Sequence, residues 1–217
     1  MKKIIAVALI ASLTTGCVSV ANKPAETGAL DKLNGQSVVY TTRDRAGFAA
    51  MTAGKAAFAL IGAVAMLAAG AKILDENHIS DPSTELGEKL AKSLEAKYST
   101  QTASAPIKTA DGNIDQIAKD GNGAKFAIDV QTINWGFAYF PFDWSHYRVL
   151  YVAKARLINL ETKQVIAEDG CQIYKKENEN APTYDQLMAN QAALLKDMIK
   201  AATGECMAKW QSEAFKV

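Results

Sequence analysis

The part of the chain that follows Lys125 alternates apolar and polar residues, and this period of two constrains the fold more than any other feature. Three segments carry the pattern, residues 126–139, 146–160 and 164–174, and the last two are joined by a short turn. In the middle segment one set of alternate positions is apolar and the other basic: Tyr147, Val149, Tyr151, Ala153, Ala155 and Leu157 against Arg148, Lys154 and Arg156. Alternate residues of a strand point to opposite faces, so we predict an antiparallel meander with one face packed and the other largely exposed to water.

The rest of the chain supplies a first strand and several helices. Residues 36–42 are rich in β-branched side chains and predict a strand, and residues 99–104 predict a second, short one. Asp81 and Pro82 predict the start of a helix that ends near Tyr98. A brief helix is predicted over residues 114–118, and a carboxy-terminal helix over residues 184–215 is expected to cover the sheet. This order predicts an α+β fold of two layers, a mostly antiparallel sheet covered by helices.

Residues 46–74 form an Ala/Gly-rich apolar segment, which we interpret as a helical insertion after the first strand. Between residues 46 and 71 the only charged residue is Lys55. It leaves an uninterrupted apolar run of sixteen residues, 56–71, and such a helix is about 24 Å long, marginal for crossing a bilayer. Two interpretations stay open: a helix that is buried in the domain or that mediates oligomerisation, and a helix that contacts the membrane.

The amino terminus has the pattern of a secretory signal peptide. Two lysines precede an apolar run of eight residues, 4–11, and small residues lead into Cys17 in the sequence Leu13-Thr14-Thr15-Gly16-Cys17. This stretch resembles the lipobox of bacterial lipoproteins, although Thr14 occupies the position where Leu is commonest. The resemblance implies that residues 1–16 are removed and that Cys17 carries lipid.

That resemblance also implies a location. Residues 17–30 are expected to form a lipidated flexible tether, and residues 31–217 a single periplasmic domain. Lipoproteins of enterobacteria with Asp after the cysteine stay at the inner membrane, and Val18 stands there in this chain. The expected location is therefore the outer membrane, with the domain facing the periplasm.

Two cysteines, Cys171 and Cys206, remain beside Cys17. Thiols in an oxidising compartment tend to pair, so a structural disulfide between them is expected. The alternative is two separate buried thiols.

Charge and motifs give no chemical function. The 24 basic and 23 acidic residues nearly cancel, so no nucleic-acid partner is implied. We expect no cofactor, no metal site and no catalytic residue. His146 adjoins Asp143 and Ser145, but neighbouring residues on a strand point to opposite faces and are not expected to form a catalytic relay.

Aromatic residues are dense around Pro141. Trp135, Phe137 and Tyr139 alternate and are expected to be core, whereas Phe140, Phe142 and Trp144 follow the strand. We predict these last three as a contact surface for a partner protein, a glycan or lipid headgroups.

The helix that ends in Leu90-Ala91-Lys92-Ser93-Leu94, followed by a short strand and then the strand 123–130, is similar to the amino-terminal domain of the Tol-system translocation protein. It also looks like the periplasmic domain of the curli secretion lipoprotein. The resemblance implies binding of partners or assembly into rings. The expected functions are therefore a structural or assembly lipoprotein with an envelope partner or as a homo-oligomer; a lipoprotein that binds a small molecule, lipid or peptidoglycan fragment; or a subunit of a ring-forming secretion or pore complex.

Overall fold

The computed structural model describes residues 20–26, 28–52, 59–174 and 180–217, and it leaves out the side chains of residues 59–61. The predicted signal peptide, residues 1–16, and Cys17 lie outside these residues. The seven strands are β1 (Ser37–Thr42), β2 (Phe48–Met51), β3 (Gln101–Thr102), β4 (Ile107–Lys108), β5 (Phe126–Phe140), β6 (Asp143–Asn159) and β7 (Gln164–Tyr174). The helices are α1 (Ala59–Glu76), α2 (Ser83–Tyr98), α3 (Ile114–Asp120) and α4 (Tyr184–Lys209). The predicted α+β class and the three long strands are confirmed.

One sheet of order β3-β1-β5-β6-β7 runs through the molecule, with β2 beside β5 and β4 beside β1. The β5–β6 and β6–β7 pairs are antiparallel, whereas β1 and β2 lie parallel to β5. The β5–β6 hairpin closes at Phe140 opposite Asp143, which puts Pro141 and Phe142 at its tip. Because β5 has 15 residues, this tip lies about 45 Å from the other end of the hairpin.

Residues 46–71 are not one helix. Phe48–Met51 form β2, and helix α1 begins at Ala59 and continues to Glu76. Phe48 fills a site against Trp135 and Phe137, with ring centroids 4.9 and 5.9 Å away, and this tertiary contact overrides the helical propensity of the neighbouring alanines. Part of the stretch between β2 and α1 is outside the described residues.

Helices α2 and α4 cover one face of the sheet. The main core lies between the layers and includes Leu86, Leu90 and Leu94 of α2 and Leu195 and Ile199 of α4. Asp81 was expected to cap α2 directly before Pro82, and its Oδ1 accepts the backbone N–H of Ser83, the first helical residue. Pro82 is thus the residue before the helix rather than its first position.

The opposite face is less exposed than the alternation predicted. The short helix α3 covers one end of it with Ile117, which packs on Val39, Ala127, Ile158 and Leu160. Lys154 and Arg156 are each only 9% exposed on this face. The prediction of a largely wet face is therefore wrong for this part of β6. Helix α3 covers Ile158, and the loop before α3 covers Arg156, whose guanidinium donates to the Gly112 carbonyl.

Cys171 of β7 and Cys206 of α4 form a disulfide, with Cα atoms 5.4 Å apart. The predicted disulfide is thus present in the structure. It joins the last strand of the sheet to the helix that covers it.

Residues 20–26 lie against the domain. Lys23 pairs with Glu168 at the edge of β7, and Ala25 is 3% exposed. This part of the expected flexible tether is held by backbone hydrogen bonds, and Leu30 begins a short 3-10 helix, Leu30–Leu33, with a buried side chain. Residues 17–19 lie outside the described part of the chain.

Candidate contact surface

The tip of the β5–β6 hairpin, residues 140–144, is here called the aromatic turn. Phe142 is fully exposed, and Trp144 is 65% exposed. The indole Nε1–H of Trp144 donates to the carbonyl oxygen of Pro141 at 3.1 Å, and its ring stands edge-on to Tyr139 at 6.2 Å. Trp144 is therefore oriented by the turn while most of its surface is open to a partner.

Phe140 does not share that exposure, so its assignment to the contact surface is wrong. It is 5% exposed, and the guanidinium of Arg148 lies 5.1 Å from its ring centroid. Sequence position alone could not show this, because the two-residue turn begins only after Phe140 and keeps its side chain on the sheet. Trp135 and Phe137 are 1% and 0% exposed and are core, as expected.

Helix α1 carries a second exposed apolar surface. Val64 is 72% and Leu67 is 48% exposed, and Ala63 and Ala68 are also exposed. We call these four residues the apolar face of α1. None of the described helices is long and apolar enough to cross a membrane.

The direction of α1 follows from its packing on β2. Gly70, near the carboxyl end of α1, lies against Phe48 at the amino end of β2, where a Cβ on Gly70 would be 1.8 Å from the Phe48 carbonyl oxygen. The chain enters α1 after the carboxyl end of β2. Helix α1 therefore runs antiparallel to β2. Met51 is opposite Ala138 near the end of β5, so the amino-terminal half of α1 points to the same end of the molecule as the aromatic turn.

The side chains of His146 and Asp143 form a hydrogen bond, contrary to the expectation that they would point apart. Asp143 Oδ2 lies 2.6 Å from His146 Nδ1. The strand register is irregular between Asp143 and Tyr147, so the regular alternation does not hold there. The pair sits at the surface, with the two side chains 25% and 38% exposed. Among the described residues, no three His, Cys, Asp or Glu side chains are grouped so that they could hold a metal ion.

A buried charge cluster lies at the middle of the sheet, on the face opposite α2 and α4. Asp129 is 0% exposed, and its carboxylate accepts hydrogen bonds from Arg43 at 2.6 Å, from the Arg156 Nε at 3.0 Å and from the Thr41 hydroxyl at 2.7 Å. The Arg156 guanidinium also donates to the Gly112 carbonyl at 2.7 Å. The signal in the sequence was a lone Asp between Ile128 and Val130, in a strand otherwise apolar at that point.

The cluster shifts the pKa values of its members. Burial alone would raise the pKa of Asp129, but the Arg43 and Arg156 guanidiniums outweigh it and hold the pKa below its ordinary value. Lys154 has a lowered pKa because burial and the neighbouring Arg156 disfavour its charged form. Asp129 is therefore ionised at neutral pH, and it joins β1, β5 and β6 from inside the fold.

The described residues also line a groove and a smaller cavity. A groove of about 910 Å³ runs between α2 and α4, with Leu86, Ile199 and Met207 among its apolar residues and Glu85, Lys196 and Lys200 among its charged ones. A second cavity of about 500 Å³ lies beside Phe140 and Tyr147. It adjoins a break in α4, where Asn190, Gln191 and Ala192 adopt left-handed backbone angles.

The comparisons with known proteins give distant fold likenesses only. No protein-family model matches the chain, and no curated protein matches it. Among solved structures, the hypothetical protein CT253 of Chlamydia trachomatis has a TM-score of 0.37 and 6% identity over 80% of this chain and 96% of its own. Lipoprotein GNA1162 of Neisseria meningitidis gives 0.29 and 14%, covering 76% of this chain and 99% of its own. The PelC dodecamer of Paraburkholderia phytofirmans gives 0.26 and 11%, covering 86% and 96%. At these TM-scores and sequence identities, no function of those proteins is inferred for this chain.

Proposed function

We propose that this chain is a lipid-anchored protein of the bacterial outer membrane whose periplasmic domain binds another envelope protein. It acts by binding and not by catalysis. The observation that carries the proposal is the aromatic turn, where Phe142 and Trp144 are exposed at the tip of the longest hairpin. Aromatic side chains that protrude in this way supply large contact areas at protein interfaces.

The sequence and one structural feature support the location. The lipobox-like stretch ends in Cys17, and lipid there would anchor the chain without a membrane-spanning helix. The Cys171–Cys206 disulfide is typical of a protein that folds outside the reducing cytoplasm.

Lipidation is tested by mass spectrometry of the protein purified from bacterial membranes. We expect a mature chain that begins at Cys17 and carries acyl groups, and a Cys17→Ser variant that is neither acylated nor retained on membranes. An unmodified chain with a free amino terminus would contradict the anchor.

Partner binding is tested in cells with a photo-crosslinking amino acid in place of Phe142 in the full-length protein. We expect one crosslinked product of defined mass, identified as an envelope protein, and its loss when Trp144→Ala is added. The melting temperature of Trp144→Ala should stay within about 2 °C of the parent, because removal of an exposed side chain changes stability little.

Two controls accompany the crosslinking. The same photo-crosslinker at Lys119, which is exposed on α3 at the other end of the hairpin, should give no such product. Leu194→Ala, 39% exposed on α4, should leave the Phe142 product unchanged. Products at multiples of this chain's own mass would identify a homo-oligomer, and no product or a lipid product alone would overturn the proposal.

A second candidate function is binding of a small amphiphilic ligand in the groove between α2 and α4. Its volume of about 910 Å³ is within the range of ligand sites, and its mixed lining suits a ligand with apolar and charged parts. Calorimetric titration with purified peptidoglycan fragments tests it. Saturable binding that is lost in Lys200→Glu would favour this function over the first.

A further inference from the structure

The amino-terminal residues 20–26, here called the N-terminal strap, extend the sheet beyond β7. Lys23 and Glu168 exchange two backbone hydrogen bonds of 2.7 and 2.8 Å, and the Glu168 carboxylate accepts the backbone N–H of Ala21 at 3.0 Å. Farther along, the backbone N–H of Ala25 donates to the Ala214 carbonyl at 3.1 Å. The strap thus crosses from the last strand to the end of the carboxy-terminal helix.

The end of the strap packs closely against a glycine of the sheet. Val20 lies over Gly170 of β7, where a Cβ would be only 2.5 Å from the Val20 Cγ1 atom. Any larger residue at position 170 would push Val20 away. The close approach therefore depends on the absence of a side chain there.

The strap limits the distance between the domain and a lipid on Cys17. Val20 is three positions after Cys17, and three residue steps of fully extended chain span at most about 10 Å. Without the strap, the first buried leucine after it is Leu30, thirteen residues from Cys17, which allows about 45 Å. Docking of the strap thus shortens the reach of the domain about fourfold.

The direction of the strap decides which part of the domain is held close. It pairs antiparallel to β7, so the chain toward Cys17 leads from Gly170 toward Tyr174 and away from α3. Gln172 is exposed on this edge. Lys119 is on α3 at the other end of the sheet, where Gly121 lies against Leu160.

We propose that the N-terminal strap fixes the orientation of the domain on the bilayer, with the β7 edge between Gly170 and Tyr174 facing the lipid surface at a distance of about 10 Å or less. This inference rests on the proposed function, because it requires acylated Cys17. With the strap docked on β7, the domain does not rotate freely on a tether but keeps one face toward the membrane.

The test uses the full-length acylated protein in phosphatidylcholine vesicles that contain a headgroup-labelled acceptor lipid. Gln172→Cys and Lys119→Cys each introduce one free thiol for a donor dye, because the native cysteines are acylated or disulfide-bonded. We expect clearly higher energy transfer to the lipid from position 172 than from position 119. In Lys23→Pro, which removes the N–H that donates to Glu168, and in Gly170→Val, the difference should disappear.

Asn22→Pro is the matched control, because no hydrogen bond from the Asn22 backbone N–H is found among the described residues. It should keep the difference in transfer, and circular dichroism should show all variants folded. Equal transfer from positions 172 and 119 in the acylated parent would overturn the orientation and leave the proposed function standing. A chain that lacks acyl groups by mass spectrometry and does not float with vesicles would overturn both.

Discussion

At the scale of residues, the Asp129 cluster is the feature with the largest energetic consequence. One buried carboxylate holds two arginines, Arg43 directly after β1 and Arg156 in β6, whose side chains are 6% and 10% exposed. Removal of these three charges from water is costly, and the mutual attraction and the hydrogen bonds offset that cost only when all partners are present. The alternation of residues in the sequence correctly predicts that Arg156 lies on the face opposite the main core. Only the tertiary structure shows that Arg43 also contacts the Asp129 carboxylate.

Asp129→Asn is therefore expected to lower the free energy of unfolding by about 3 kcal/mol, because both guanidiniums lose their counter-charge inside the fold. Urea denaturation followed by circular dichroism measures it. The matched control is Asp115→Asn. Its side chain is 75% exposed and paired with Lys163, so the change should be below about 0.5 kcal/mol. A similar small effect for Asp129→Asn would show that the cluster is not a stabilising unit.

The same carboxylate has a defined pH dependence. Its folded pKa lies below the ordinary value of 3.8, so its contribution to stability is complete above that value and is lost as the pH falls through the folded pKa. The unfolding midpoint in urea should consequently fall less between pH 5 and pH 2.5 in Asp129→Asn than in the parent. An identical acid response in both proteins would contradict the lowered pKa.

At the scale of elements, the packing of α1 on β2 depends on a glycine. The composition of residues 46–74 correctly indicated a helix with small residues for close approach. It did not indicate the strand before it, because a four-residue strand beside alanine-rich sequence has no periodicity of its own. The close approach is at Gly70, where the carbonyl oxygen of Phe48 occupies the space of a Cβ.

Gly70→Ala is expected to destabilise the protein by about 2 kcal/mol through this overlap, even though alanine favours helix. Gly204→Ala in α4 is the paired test, because a Cβ at Gly204 meets no atom within 4 Å. That variant should gain about 1 kcal/mol from helix propensity alone. Thermal melts of both variants measure the effects, and a stabilised Gly70→Ala would mean that α1 does not pack closely on β2.

The break in α4 shows the limit of pattern-based prediction for an element. Residues 184–215 read as one helix, yet Asn190, Gln191 and Ala192 have φ values of 52, 56 and 54°. Left-handed angles are unfavourable for residues with a Cβ, so the surrounding packing must impose them. Ala192 is fully buried at the break. The prediction of one continuous helix did not indicate this burial.

At the scale of the whole molecule, the disulfide ties the two layers of the fold together. Cys171 and Cys206 are 35 residues apart. In the chain-entropy model, closing a loop of this length in the unfolded state stabilises the folded state by about 4 kcal/mol.

A Cys171→Ala, Cys206→Ala double variant should lose stability of about that size. Guanidinium denaturation measures it. A reducing agent should lower the midpoint of the parent to that of the double variant and leave the double variant unchanged. A midpoint that does not respond to reduction would show that the bond contributes no stability.

The sequence by itself determined the α+β class, the long meander, helix α2 and the disulfide. These follow from local information: a period of two or of 3.6 residues along the chain, and a count of cysteines. It also singled out Phe142 and Trp144, because aromatic residues beyond a strand end have no place in the alternation.

Only the tertiary structure decided the rest, because each remaining feature depends on residues far apart in the chain. Phe140 is buried since the hairpin turns one residue after it. Arg156 is buried since its guanidinium contacts Asp129 and the Gly112 carbonyl in the loop before α3. Likewise, residues 20–26 read as a free tether, because the backbone groups that hold them, at Glu168 and Ala214, are far away in the sequence. A contact between two segments that are far apart in the chain produces no periodic pattern in the sequence of either segment.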